Sequence, residues 1–440
     1  MPRFSLAWPR KRCHIETMST RDEILASLEA DVEVMTELLV KLVRIPSTGG
    51  DTAEVAIQAE LAHWLRSEGF EVDHWRLPLE QLSADPDYPG AEVERSEGWG
   101  LVGRLPGTGR GRSLMFNAHV DVVPPGDAAD WGSGGPFGGM VVDGAVHGRG
   151  ACDMKGGLVS ALFAARALAR SGVRLAGDLM VACVIGEEDG GLGTFGTLRR
   201  GWRADACVIP EPTGLDLVPA NGGALTFRLT VPGKASHASR RGAGVSAVER
   251  FWPVFQALRD LEKRRNADVD PVMSRWDIAY PIEIGTVHAG DWVSTVPAVL
   301  VAEGRLGVAL DESIAGARRA LEAEIAEVCR RDPWLRDNPV HVTWWGGQFA
   351  SGRINGDTSI LDRLRANHTE QTGLTPDVWG APYGSDLRLM TGLAAVPTVH
   401  YGPGDITLAH SQRESVPVAE VATAARVLAL TALDHCGPVG

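Results

Sequence analysis

Apolar residues recur at helical spacing from Ile24 to Leu42 (Ile24, Leu28, Val32, Met35, Leu39, Leu42), and Pro46 closes the pattern. One amphipathic packing helix is predicted there, with Thr20 to Glu23 as a capping box at its head. Short, continuous apolar runs predict buried strands at Ser113–Ala118, Leu179–Ile185, Ala206–Ile209 and Val396–His400. They alternate with helical stretches at Thr52–Ser67, Gly156–Ser171, Ser359–Thr372 and Val418–Ala432, the pattern of a helix-flanked sheet. The region Leu77–Gly98, rich in Asp, Glu and Pro, reads as a loop. The class is therefore α/β.

Between residues 220 and 345 the rhythm changes. Strand (Ala224–Val231), helix (Ser246–Arg264), strand (Pro281–His288), strand (Val299–Leu310), helix (Asp311–Arg331) and strand (Val340–Trp345) give the βαββαβ order of an α+β, ferredoxin-like unit. Paired glycines, Gly222-Gly223 and Gly346-Gly347, bracket it and suit hinges or turns. The expected organisation is an N-terminal extension (1–17, disordered), a core domain from 18–219 and 346–440, and an inserted domain at 220–345. No repeat or low-complexity tract interrupts it.

Composition narrows the function. The 440 residues are 44% hydrophobic and 22% charged, with a formal net charge of −13, so no basic face for a nucleic-acid partner is expected. No run is long and apolar enough to predict a membrane partner. Six cysteines lack any C-x-x-C spacing, which favours reduced thiols and a cytoplasmic location. The opening segment carries Arg3, Arg10, Lys11 and Arg12 against one acid, Glu16, and Met18 is read as the natural beginning.

Candidate chemistry gathers at predicted strand ends. Glu187 and Glu188 follow the run Leu179–Ile185; adjacent carboxylates there repel unless a cation or shared proton relieves them. His119 and Asp121 end another strand, two residues apart and so on one face, as a metal-ligating histidine and its orienting acid are placed. Asp153 lies in the glycine-rich turn His147–Gly157 ahead of a helix, where capping is the plain alternative, and Lys155 is expected to pair with a nearby carboxylate. Glu211 is fixed between two prolines, and His410 sits in a loop after the strand Val396–His400. Two histidines and several carboxylates in one domain make a nitrogen- and oxygen-rich site suited to zinc, or to cobalt or manganese.

The series His119-Val-Asp-Val-Val-Pro124, Gly148-Arg-Gly-Ala-Cys-Asp-Met-Lys-Gly-Gly157, Gly186-Glu-Glu-Asp189, Glu211-Pro-Thr213, Gly233-Lys-Ala-Ser-His237-Ala238 and Ala409-His410 resembles the M20 metallopeptidase family. The likeness is to its acetylornithine deacetylase and succinyl-diaminopimelate desuccinylase branch, and runs from about Met18 to the C-terminus. It implies a zinc-peptidase-like catalytic domain with a mixed sheet, an inserted dimerisation or lid domain, and two divalent metal ions. Asp153 would bridge them, His119 and Glu211 completing one site and Glu188 and His410 the other. Asp121 would orient His119, and Glu187 would be the general base toward a metal-bridged water. His237 would reach a partner subunit's active site in a homodimer, and Arg305 would meet a substrate carboxylate. Ser294 stands where related deacylases often carry asparagine, which bears on the acyl or amino-acid pocket. Gly384, Ser385, Asp386 and Arg388 fall at a substrate-proximal turn. The implied reaction is removal of an acetyl- or succinyl-type group from an N-acylated amino acid. A dipeptidase or carboxypeptidase acting on a short peptide, and a non-catalytic metal-binding homologue, are the alternatives.

Overall fold

A computed structural model describes residues 19–132 and 134–439; the expected extension 1–17 lies outside them. Three helices lead: α1 (Thr20–Ala30), α2 (Val32–Val43) and α3 (Thr52–Ser67). The stripe predicted as one helix is thus cut at Asp31, whose N–H ends α1 on the carbonyls of Ser27 and Leu28 while its own carbonyl accepts from Met35 to start α2. Arg166 fixes the break from across the core, its Nη1 2.5 Å from Asp31 Oδ2. The cap also lies one residue earlier than predicted: Ser19 Oγ accepts from the Asp22 N–H, and the Asp22 carboxylate accepts from the Ser19 N–H.

The chain then forms β1 (Glu71–Arg76), β2 (Trp99–Leu105), β3 (Leu114–His119), α4 (Gly156–Arg170), β4 (Leu179–Val184), α5 (Leu192–Arg200), β5 (Ala206–Ile209) and β6 (Leu217–Asn221). Next come β7 (Gly223–Pro232), α6 (Ala247–Arg265), β8 (Ile282–Ala289), β9 (Val299–Val308), α7 (Ile314–Arg331) and β10 (His341–Phe349). Last are β11 (Gly352–Arg353), α8 (Ser359–Thr372), β12 (Val378–Ala381), α9 (Leu387–Gly392), β13 (Thr398–His400) and α10 (Val418–Cys436). Within the loop read between Leu77 and Gly98, Leu79–Ser83 makes a single helical turn.

The α/β class holds. A nine-stranded mixed sheet runs β1-β2-β4-β3-β5-β13-β6-β11, with β12 paired to β6. Its centre is parallel: β3 pairs with β4 and β5, and β13 with β5, all in the same direction. Every residue of β3 and β4 is buried, as continuous apolar runs covered on both faces require. Helix α4 is buried from Gly156 to Leu168 and packs with α10 on that sheet. Gly157 is obligatory there, because a Cβ would stand 1.7 Å from the Pro210 carbonyl oxygen. Among the described residues, no helix is long and apolar enough to cross a membrane.

The residues between β6 and β11 build a separate four-stranded antiparallel sheet, β8-β9-β7-β10, running to Phe349, past 345. On β7, alternate residues Leu225, Phe227, Leu229 and Val231 point into a second core shared with Val254 and Leu258 of α6 and Leu321 and Ile325 of α7. Strand β8 is a sheet edge.

Candidate metal centre

Ligands bind such sheets outside the carboxyl ends of parallel strands, and the candidate residues collect there. His119 ends β3; Glu187 and Glu188 follow β4; Glu211 follows β5; His410 follows β13 with a positive φ of 60°. A non-glycine residue held in that region marks a position fixed by its surroundings.

His119 is fully buried. Its Nδ1 lies 2.9 Å from the Asp121 carbonyl oxygen, and its Nε2 lies 3.1 Å from Asp153 Oδ1 and 3.9 Å from Glu211 Oε1. A carbonyl only accepts, so Nδ1 carries a proton; burial lowers the ring's proton affinity, but the hydrogen bond to Asp153 and the charge of Glu211 raise it further, and a cation taking the place of the Nε2 proton would find that nitrogen facing two carboxylates. Asp153 presents its other oxygen, Oδ2, to His410 Nε2 at 3.5 Å, and Glu188 Oε2 lies 3.2 Å from the same nitrogen. Ligand atoms of His119, Glu187 and Glu211 lie within 4.8 Å of one another, as do those of His119, Asp153 and Glu188. Lone pairs and carboxylates converging in a buried place fit divalent cations, which replace the mutual repulsion by attraction. The donor set passes that test with Asp153 at its middle.

The protein groups alone pull proton affinities apart. Burial, then Asp386, pushes Glu187 well above the usual carboxylate range; burial does the same to Glu211, its largest opposing influence being His119. Burial would also raise Asp153, but hydrogen bonds from His119 and His410 outweigh it and hold it low. His410 is pushed up to about 11 by hydrogen bonds to Asp153 and Glu188. Asp121 is raised by burial to about 7.

Asp121 differs from expectation in the atom it uses. Its backbone carbonyl holds His119, whereas its carboxylate stands 3.8 Å from the ring and accepts from the backbone N–H groups of Glu187 and Glu188 at 3.3 and 3.2 Å. Lys155 does not pair with a carboxylate either: Nζ donates to the Leu42 and Ile45 carbonyls, pinning the Asp153 loop to α2, and burial lowers its pKa to about 7.

A cavity of about 570 Å³ opens onto these residues, and Arg305, Gly384 and Ser385 line it. Ser385 Oγ lies 2.9 Å from His400 Nε2. Asp386 sits behind the wall, accepting from Thr194 Oγ1 at 2.5 Å, and Arg388 donates to the carbonyls of Ser385 and Gly190 beneath the Phe349 ring. His237 and Ser294 lie apart from the cavity. They are exposed and adjacent, the Ala238 N–H donating to the Ser294 carbonyl, and His237 Nδ1 accepts from the Ser239 N–H.

Sequence reasoning missed the supports. Glu414 Oε1 accepts from the N–H groups of Cys152 and Asp153, both at 3.1 Å, while its Oε2 meets Arg149 Nη1 at 2.5 Å. Arg95 spans Glu54 and Asp189 with four hydrogen bonds of 2.8 to 3.0 Å, all three side chains buried, and so fixes the turn that carries Glu187. The only local signal for Glu414 is its place four residues after His410, and Arg95 has none.

A family model described as peptidase family M20/M25/M40 matches residues 115–434. An N-formyl-4-amino-5-aminomethyl-2-methylpyrimidine deformylase of Halalkalibacterium halodurans is 26% identical, over 95% of this chain and 98% of its own length. A succinyl-diaminopimelate desuccinylase of Methylobacterium nodulans is 36% identical over 82% of this chain and 86% of its own. The crystal structure of human carnosine dipeptidase 1 superposes with a TM-score of 0.74, covering 95% of this chain and 99% of that one at 14% identity, a likeness of fold alone.

Proposed function

The chain belongs to peptidase family M20/M25/M40 and is a metal-dependent hydrolase of linear amide bonds, and we propose that it releases the acyl group of a small N-acylated amine or amino acid. Support comes from relatives named as a deformylase, desuccinylases and a deacetylase, each an N-acyl amide hydrolase by name.

The observation that carries the reading is Glu187: a buried carboxyl group with an oxygen within 4.8 Å of ligand atoms of His119 and Glu211. His119, Asp153 and Glu211 would hold one divalent ion and Asp153, Glu188 and His410 a second, with zinc the metal that this mixture of imidazole and carboxylate suits best. When bound, the ions supply Lewis acidity, lowering the pKa of water and polarising the amide carbonyl. Glu187 takes the proton from the attacking water and delivers it to the departing nitrogen. Asp121 holds the Glu187 backbone in place, and Asp153 is held in turn by Glu414.

Two further readings complete the proposal. Buried free thiols at all five described cysteines fit a reducing, cytoplasmic setting. The exposed edge of β8, with Trp292 and Val293 beside it, fits pairing with a second copy. A panel of N-formyl, N-acetyl and N-succinyl substrates and dipeptides, assayed with zinc, cobalt or manganese, tests the function. Turnover of at least one N-acyl substrate that a chelator abolishes and metal restores is expected; full activity in chelated protein would overturn the reading.

A further inference from the structure

Four of the five carboxylates lining the cavity belong to the metal centre; the fifth, Glu92, does not. The lining side chains that can carry positive charge are His410, already facing Asp153 and Glu188, and Arg305. Arg305 Nη2 lies 3.1 Å from Glu92 Oε1, which also accepts from Thr226 Oγ1 at 2.8 Å. Glu92 is firmly placed: its N–H donates to the Asp189 carbonyl at 3.1 Å, in the turn that carries Glu187. Gly346, with φ +66°, leaves room for it, since a Cβ there would stand 2.5 Å from Glu92 Cγ. Among the described residues lining the cavity, no arginine or lysine therefore faces it without a carboxylate partner.

This arrangement works against a substrate that ends in a carboxylate. Such a group meeting Arg305 would stand near Glu92, which already holds its Nη2, and like charges at that range raise each other's cost. The other oxygen is free to accept: the hydrogen bonds to the Glu92 carboxylate go to Oε1, Oε2 has none among the described residues, and a carboxylate accepts at about four positions. We propose that Glu92 is a specificity-determining residue. By compensating Arg305 and offering Oε2, it favours an N-acylated amine whose far end bears a hydrogen-bond-donating or cationic amino group over one that ends in a carboxylate alone. The proposal rests on the amide-hydrolase reading above.

Two formamides of matched length, N-formylputrescine and N-formyl-γ-aminobutyrate, separate the cases on the metal-loaded full chain. The wild type is expected to prefer the amine by kcat/KM, and Glu92→Gln and Glu92→Ala to shift the ratio toward the carboxylate by about ten- to a hundredfold, chiefly through KM. Glu92→Gln keeps the size of the side chain, so it serves if the alanine variant does not fold. Equal preference in the wild type, an unchanged ratio in both variants, or an equal loss on both substrates would overturn the proposal, the last showing a structural tie only. Failure of the wild type to hydrolyse any N-acyl substrate would instead sink the amide-hydrolase reading. Calorimetric binding of the same two formamides to wild type and Glu92→Gln then decides: a preference for the amine that the variant loses supports the role, and equal binding refutes it.

Discussion

At the scale of single residues, neighbours in the chain do different work. Glu188 faces His410 at 3.2 Å, while Glu187 turns toward His119 and Glu211. Glu187→Gln keeps the volume and removes the proton carrier, so turnover is expected to fall by about 10²- to 10⁴-fold, with metal content by elemental analysis and melting temperature nearly unchanged. Near-native turnover would refute the assignment. His400, on β13, makes a prediction unconnected with catalysis. Burial pushes its pKa from 6.5 down to about 3, and its Nδ1 has no hydrogen-bond partner. The unfolded chain takes up a proton below pH 6.5 and the folded chain does not, so the stability present above that pH is lost as pH falls toward 3. By pH 5 the loss is about 2 kcal/mol relative to pH 8. Urea unfolding of chelated wild type and His400→Gln at the two pH values measures it; identical slopes in both proteins would exclude His400 as the source.

At the scale of elements, the site is a set of loops hung on rigid strands, and the loops need separate anchors. Arg95 is 2% exposed between Glu54 and Asp189, at 2% and 8%. Arg95→Ala would strand two buried carboxylates and is expected to cost about 3–5 kcal/mol by denaturant titration. The solvated pairs of Arg199 with Asp85 and Asp87 should contribute far less. Equal losses in Arg95→Ala and Arg199→Ala would contradict the distinction. The same contrast explains what the sequence revealed. The apolar runs of β3, β4 and β5 end where the candidate chemistry starts, so His119, Glu187 and Glu211 stand out at strand ends, while their separate roles come from the ordered motifs of the family resemblance. Arg95 and Glu414 were not, because their partners stand 94 residues away at Asp189 and 265 away at Arg149, and within an acidic loop an arginine looks like any solvated charge. The break at Asp31 was hidden for a related reason: the apolar stripe stays in phase across it, and only Arg166 from α4 marks the interruption.

For the molecule as a whole, the βαββαβ order could be read from periodicity, but the surface it leaves open could not. Val293 is 96% exposed and Trp292 69%, beside the unpaired edge of β8. The proposed pairing through this edge predicts that the wild type sediments as a dimer and that Val293→Asp combined with Trp292→Lys sediments as a monomer; a wild type that is monomeric at micromolar concentration would rule the interface out. The sheet order carries one more consequence. Strand β13 lies between β5 and β6, yet the insertion separates it from both in the chain, and every sheet partner of β6 lies beyond that insertion. About 180 residues separate Asn221 from Thr398, roughly 10 to 35 s of ribosomal synthesis at about 5–20 residues per second. Until β11 is made at Gly352, β6 waits without a partner, and through the whole interval His410 has not yet been made. The first proposed ion site, made of His119, Asp153 and Glu211, is thus complete in sequence before the insertion is made, whereas the second waits for His410 near the end of synthesis.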